Sequence, residues 1–238
     1  MMIFGAILAG GTGSRMNIAD MPKQFLPLGD KPIILHTLEK FLLCDRMDRV
    51  YVGVHPDWVG HMQDLLERQV PQRERVTLVP GGGDRNSTIF NIVNQIEADW
   101  GESDDHLIIT HDAVRPFVTL RILEENIEAA RAFGACDTVV SAVDTIVVSE
   151  NGETISQIPD RRLMYQGQTP QSFRISLLKK LYQSLDEEEK AILTDACKIC
   201  VVRQTPVRLV EGDVSNLKIT TVGDYKIAQA MVGGQVVD

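Results

Sequence analysis

Short apolar runs alternate with helical stripes over residues 3–143, and that order leaves few folds open. Residues 3–8 are apolar and run into Gly10-Gly11; residues 50–54, 76–79, 107–110 and 138–143 repeat the pattern, and each run predicts a buried strand. Between them, residues 32–45, 58–70, 86–100 and 119–133 carry apolar side chains at helical spacing, as in Ile34, Leu35, Leu38, Phe41 and Leu42. Strand and helix in alternation predict an α/β fold: one doubly wound, mostly parallel, Rossmann-like sheet with helices on both faces. Ligands of such sheets bind at the carboxyl ends of the strands.

The rhythm breaks after residue 143. Residues 145–159 read as strand-like around Asn151-Gly152, a hairpin signal, so the stretch 144–166 is expected to form a β-arm inserted into the core. Residues 175–185 and 187–197 read as helices, with Ser184 and Glu187 spaced as a capping box. Residues 207–210 and 217–220 read as late strands, and Thr221 with Asp224 forms a second capping box that opens a last helix. No repeat, low-complexity tract or linker divides the 238 residues.

The net charge of −9 argues against general nucleic-acid binding and against an anionic membrane surface, both of which favour basic proteins. No stretch is long enough to span a bilayer, and the apolar run 3–8 is too short for a signal peptide, so the expected location is cytoplasmic. Cys44 and Cys136 lie in apolar runs and read as buried. Cys197 and Cys200 form a lone C-x-x-C with no further Cys or His ligands nearby, so packing is favoured over a metal or redox role. The five histidines show no metal spacing.

The strongest chemical signal is Leu8-Ala9-Gly10-Gly11-Thr12-Gly13-Ser14-Arg15-Met16, followed by Pro22-Lys23-Gln24. A Gly-rich turn after a first strand exposes backbone N–H groups to phosphates. A Rossmann fingerprint starting at Gly11 would need glycine at position 16, and a P-loop would need Gly-Lys-Ser/Thr; neither is present. What remains is a Gly-rich loop with two cations, Arg15 and Lys23, suited to charge that builds on a triphosphate; the alternative is a solvated basic loop. Asp112 follows an apolar strand and so sits at its carboxyl end, where a carboxylate can hold Mg²⁺ beside substrate phosphates. The competing reading is a turn aspartate ahead of Pro116. Arg115 could clamp a phosphate or pair with Asp112. Lys218, flanked by Leu217 and Ile219, is costly to bury unless its charge is used, which favours a phosphate contact.

Taken in order, these blocks resemble the family of methylerythritol-phosphate and ribitol-phosphate cytidylyltransferases nearly end to end. Gly81-Gly82-Gly83-Asp84-Arg85-Asn86-Ser87-Thr88 resembles the family's second Gly-rich loop, and His111-Asp112-Ala113-Val114-Arg115-Pro116 its metal-binding loop. Asp144-Thr145, Thr169-Pro170-Gln171 and Asn216-Leu217-Lys218 resemble later blocks. Ala9-Gly10-Gly11, the run 165–171 and Thr194-Asp195-Ala196 are similar to the ribitol-phosphate branch.

The resemblance implies a single nucleotidyltransferase domain over 1–238 that transfers CMP from CTP to D-ribitol 5-phosphate with Mg²⁺. It implies Arg15, Lys23 and Lys218 as catalytic cations. It implies a nucleotide site of Leu8, Ala9, Gly10, Gly11, Thr12, Gly13, Gly82, Asp84, Arg85, Thr88 and Asp112, with Asp112 also on the metal. Acceptor contacts are implied for Arg115, Thr145, Arg161, Thr169 and Thr194. It further implies a homodimer whose arm, at about 144–166, completes the neighbour's site. The alternatives are the methylerythritol-phosphate activity and an inactive nucleotide-binding regulatory module.

Overall fold

The computed structural model describes residues 1–11 and 21–234. Thr12 and Gly13, expected in the nucleotide site, and Arg15, expected as a catalytic cation, lie outside the described residues. In chain order the elements are β1 (Ile3–Ala9), β2 (Pro27–Leu28), β3 (Lys31–Pro32), α1 (Ile33–Leu43), β4 (Arg49–Val54), α2 (Val59–Gln69), β5 (Val76–Pro80), α3 (Arg85–Trp100) and β6 (Leu107–Asp112). They continue with α4 (Leu120–Phe133), β7 (Ala135–Ser141), β8 (Tyr165–Arg174), α5 (Ile175–Gln183), α6 (Glu187–Ala191), α7 (Cys197–Val202), β9 (Arg208–Glu211) and α8 (Val222–Val232).

The main sheet has seven strands in the order β5-β4-β1-β6-β8-β7-β9. Strands β5, β4, β1 and β6 are mutually parallel, β8 runs antiparallel to both its neighbours, and β9 is parallel to β7. The expected α/β sheet is therefore present and mostly parallel. Its central strands are buried because helices cover both faces, and they are apolar except for the Thr110-His111-Asp112 end of β6. On one face Ile7, Phe41, Val52, Ile109 and Ile127 form one core; on the other Phe4, Ile92, Ile108, Phe173 and Leu178 form a second. Gly5 lets α1 press onto β1, since a Cβ there would lie 2.6 Å from the Phe41 ring. The α4 helix starts at an N-cap, Thr119, whose side chain accepts from Ile122 N, and ends at left-handed Gly134 (φ +84°).

Several expectations are corrected. The strand expected over 138–143 lies three residues earlier, at Ala135–Ser141. Residues 217–220 form no strand; Ile219 donates to Val114 O and packs with Leu28, Ile33 and Tyr225. The helix expected over 187–197 stops at Ala191 as α6, and α7 begins only at Cys197. Its capping box is Asp186 with Glu189, not Ser184 with Glu187, because Ser184 instead closes α5 and donates its hydroxyl to Leu181 O. The Thr221–Asp224 box forms as expected. Strand β8 was not expected at all: its polar run has no alternation to betray it. The arm turns at Asn151-Gly152, where Asn151 Oδ1 accepts from the N–H groups of Glu153 and Thr154. Only one bridge, Val148 to Gln157, joins its two limbs.

Candidate active site

The strand order reverses between β1 and β6, so the loops leaving these two strands diverge and open a crevice. Register places Leu8 opposite Asp112, and Ala113 N donates to Leu8 O (3.1 Å), which joins the first Gly-rich loop to the Asp112 loop. The second Gly-rich loop, after β5, presses against the first: a Cβ on Gly81 would lie 3.2 Å from Gly10 Cα. This contact requires glycine. Asp84 caps α3 in a capping box with Ser87. The Thr88 hydroxyl donates to Asp84 O (2.9 Å) and accepts from Gly82 N (3.0 Å). Both side chains therefore shape the loop, and the α3 N-terminus faces the crevice as a natural anion site.

Gln24 was quoted in the sequence motif without a role. It is buried, and its Nε2 donates to Ala9 O and Gly11 O, each at 2.9 Å. One amide thus ties the start of the first Gly-rich loop to the segment that follows it, beside half-buried Lys23.

Asp112 ends β6 and is ringed by three cations. Lys218 Nζ lies 2.9 Å from Oδ2, Arg115 Nε 3.5 Å from Oδ2, and Arg85 Nε 3.6 Å from Oδ1. Burial alone would raise this carboxyl, but Arg85, Lys218 and Arg115 outweigh it and hold the group well below the usual carboxylate range. Asp112 is therefore an anion at any working pH. The Lys218 expectation is partly corrected: the side chain is not buried in a strand but half-exposed, with its charge on Asp112.

Behind Asp112 stands a buried polar scaffold. Asp112 N donates to Thr169 Oγ1 (3.2 Å), Thr169 Oγ1 meets His111 Nδ1 (2.9 Å), and His111 Nε2 meets Arg115 O (3.1 Å). The Arg115 carbonyl can only accept, so His111 carries its proton on Nε2; in the neutral ring Nδ1 then accepts from the Thr169 hydroxyl, which itself accepts from Asp112 N. Burial pushes His111 down to about 4, consistent with that form. Asn216, fully buried, donates to Thr169 O (2.9 Å) and Gln168 Oε1 (3.1 Å) and accepts Arg115 Nη1 on its carbonyl (2.7 Å). A register shift between β7 and β8 spans Thr169, and such bulges re-aim side chains.

The structure thus assembles Lys218, Arg85, Arg115, Thr169 and both Gly-rich loops around Asp112. Thr145, Arg161 and Thr194 are exposed. Arg161 donates Nη1 to Val143 O (2.6 Å) within the arm, and no arm residue is among the ionic partners found for Asp112. Asp137 and Gln171, register partners on β7 and β8, carry no role in the motifs; the one local signal is an acid, Asp137, inside an otherwise strand-like run.

A carboxylate with excess positive charge around it, beside two Gly-rich loops that press together, suits a nucleoside triphosphate. Mg²⁺ fits here as well, because it takes one or two protein carboxylates and fills its shell with phosphate oxygens and water. Among the described residues no group of three or more His, Cys, Asp or Glu could form an all-protein cage, which leaves Asp112 as the ligand such a site would use.

The sequence model of the 2-C-methyl-D-erythritol 4-phosphate cytidylyltransferase family matches residues 3–234. Two curated Streptococcus pneumoniae proteins named ribitol-5-phosphate cytidylyltransferase are each 53% identical over 232 residues, covering 97% of this chain and 99% of theirs. The crystal structure of an Anaerococcus prevotii 4-diphosphocytidyl-2C-methyl-D-erythritol synthase superposes with a TM-score of 0.80 at 25% identity, over 98% of this chain and 96% of that one. A Thermus thermophilus 2-C-methyl-D-erythritol 4-phosphate cytidylyltransferase superposes with a TM-score of 0.74 at 25% identity, over 98% and 100%.

Proposed function

The chain belongs to the 2-C-methyl-D-erythritol 4-phosphate cytidylyltransferase family, and from that premise we propose that it transfers CMP from CTP to D-ribitol 5-phosphate, giving CDP-ribitol and pyrophosphate. The relatives that share 53% of its residues carry the ribitol-phosphate name, which supports this acceptor over methylerythritol 4-phosphate. The observation that carries the chemistry is Asp112 with three cations at the switch point of the sheet.

In the proposed reaction a phosphate oxygen of the acceptor attacks the α-phosphorus of CTP. The new O–P bond forms in line as the bond to the β-phosphate oxygen breaks, and pyrophosphate leaves. The attacking phosphate is already ionised at neutral pH, so no protein base is required; catalysis is positioning and charge neutralisation. The two Gly-rich loops, including Leu8 to Gly13, Gly82 and Arg85, hold the nucleotide, with Asp84 and Thr88 fixing the loop shape. Arg15, Lys23 and Lys218 neutralise the triphosphate as charge moves to the leaving group. Mg²⁺ held by Asp112 supplies further neutralisation of the phosphates. Lys218, half-exposed and 2.9 Å from Asp112, is placed to offer its charge to a substrate phosphate. Arg115, Thr145, Arg161 and Thr194 hold the acceptor, and Thr169 orients the Asp112 loop.

Exposed Val143, Ile155, Ile158, Leu163, Tyr165 and Val214 are an apolar surface along and beside the arm. This supports a twofold homodimer in which each arm completes its neighbour's acceptor site. Among the described residues no helix is long and apolar enough to cross a membrane. The proposed setting is the bacterial cytoplasm, where CDP-ribitol would supply a cell-wall polyol-phosphate polymer.

The test is pyrophosphate release from CTP with ribitol 5-phosphate or methylerythritol 4-phosphate. A higher kcat/KM for ribitol 5-phosphate is expected. The reverse order would overturn the acceptor, and CTP binding without turnover of either would favour a regulatory module.

A further inference from the structure

We propose that Asp137 and Gln171 form the subsite that receives hydroxyl groups of the acceptor's carbon chain. This rests on the reading that the acceptor is a polyol phosphate, and it assigns the part of that molecule which the arginines and lysines cannot recognise.

The two residues face each other in register on β7 and β8, and Gln171 is also the register partner of Thr110 on β6. Thr110 lies two positions before Asp112, and register partners share a sheet face, so Asp137 and Gln171 lie on the Asp112 face, one step below it. Gln171 is only 3% exposed, yet its Oε1 has no hydrogen-bond partner; Asp137 Oδ1 is likewise buried and unpartnered. Buried acceptors without donors are rare and costly, so a missing partner is expected.

The missing partner has a definite chemistry. Arg85 Nη1 and Nη2 are also buried and unpartnered, with Arg85 within electrostatic reach of Asp137 but outside ion-pair distance. Arg115 Nε is a third such donor, and Arg115 too is within electrostatic reach of Asp137, so orphan acceptors and orphan donors together call for groups that both donate and accept. A hydroxyl does so: it can donate to Asp137 or Gln171 while accepting from Arg85. A phosphate or carboxylate only accepts, and Asp137 would repel it. The carboxylate is reached from the surface at exposed Gly167, where a Cβ would come into ordinary contact with Asp137 Oδ2 at 3.7 Å. Burial pushes the Asp137 carboxyl up to about 6 despite the neighbouring Gln171 amide, so the unliganded protein holds this anion at a cost. Gln171 and the Thr138 backbone satisfy part of this carboxylate, and Oδ1 is the oxygen left without a donor.

The experiment compares wild type with Asp137→Asn, which keeps the shape, and Asp137→Ala. Steady-state pyrophosphate release is run with ribitol 5-phosphate and with its single-deoxy analogues. Acceptor kcat/KM should fall roughly 10- to 100-fold in Asp137→Ala, while the KM for CTP moves less than about threefold. The unliganded Tm at pH 7.5 should stay level or rise in Asp137→Asn, because an unsatisfied anion has been removed. At least one deoxy analogue should lose about tenfold or more in wild type but much less in Asp137→Ala. Unchanged acceptor kinetics, or equal analogue losses in both proteins, would overturn the subsite. If wild type uses methylerythritol 4-phosphate instead, the ribitol reading fails and the same series with that acceptor still tests Asp137. If it uses neither, calorimetric affinity for ribitol 5-phosphate replaces kinetics, and equal affinity in wild type and Asp137→Ala sinks the proposal.

Discussion

The three cations around Asp112 differ in what they support. Lys218 is half-exposed, so its ion pair with Asp112 contributes little to folding. Arg115 is buried and also anchors the backbone of Asn216. Lys218→Ala should therefore lower turnover by roughly 100-fold, the scale of losing one preorganised charge contact, with little change in Tm. Arg115→Ala should lower Tm as well, by a stability loss on the order of 3 kcal/mol, since it removes a buried guanidinium that ties the Asp112 loop to the Asn216 backbone and leaves that buried carbonyl without its donor. Paired activity assays and thermal melts separate the two. Equal Tm losses would show that both cations are structural. Asp112→Asn should raise the Mg²⁺ concentration needed for half-maximal activity; an unchanged metal titration would place the ion elsewhere.

Among the elements, the first Gly-rich loop depends on a side chain outside it. The Gln24 amide satisfies two carbonyls, on Ala9 and Gly11, and fixes how far apart the loop's flanks stand. Gln24→Leu keeps the size and removes both bonds. A stability loss of about 1–3 kcal/mol is expected, together with a rise in the KM for CTP that exceeds any rise for the acceptor. Titrating each substrate at saturating levels of the other measures this. A larger effect on the acceptor would show that the loop does not address the nucleotide.

At the scale of the whole molecule, two predictions follow from charge and from symmetry. Buried His111 is neutral when folded and charges more readily when unfolded, so its contribution to stability is lost as pH falls from about 6.5 towards 4. Asp137, raised to about 6, acts in the opposite sense: the folded form binds its proton first, so stability is gained as pH falls from 6 towards 4. The two slopes oppose each other in wild type. Asp137→Asn should unmask the His111 term, so that lowering the pH from 6.5 to 4.5 costs it on the order of 2 kcal/mol more than it costs wild type. Denaturant melts across that range test this, and parallel pH profiles would refute the pairing. For the proposed dimer, Lys23→Ala and Arg161→Ala homodimers should each be nearly inactive. Co-refolding the two should restore roughly one quarter of wild-type activity, since half the dimers are mixed and each mixed dimer has one intact site. No recovery in verified heterodimers would mean that Arg161 serves its own subunit.

The sequence determined the elements whose signal is local. Apolar runs such as 107–110 must be covered on both faces, and the Asp84-to-Ser87 and Thr221-to-Asp224 spacings satisfy helix ends with their own side chains. The first Gly-rich loop and Asp112 were legible for the same reason, since residue type and position after an apolar run place them at a strand's carboxyl end; that Arg85 and Lys218 converge on Asp112 was not, because one opens α3 and the other lies in no strand. What lay beyond reach was decided by partners distant in the chain. Strand β8 is polar because its Gln168 and Thr169 bond into the Asn216 and His111 scaffold, so it lacks the alternation that marks a strand. Residues 217–220 read as a strand from their apolar pattern, but Ile219 instead buries itself against α8 and the β2–β3 turn. Gln24 and Asp137 owe their positions to contacts with Ala9, Gly11 and Gln171. Only the folded sheet brings those together, because hydrogen-bond satisfaction is settled across space and not along the chain.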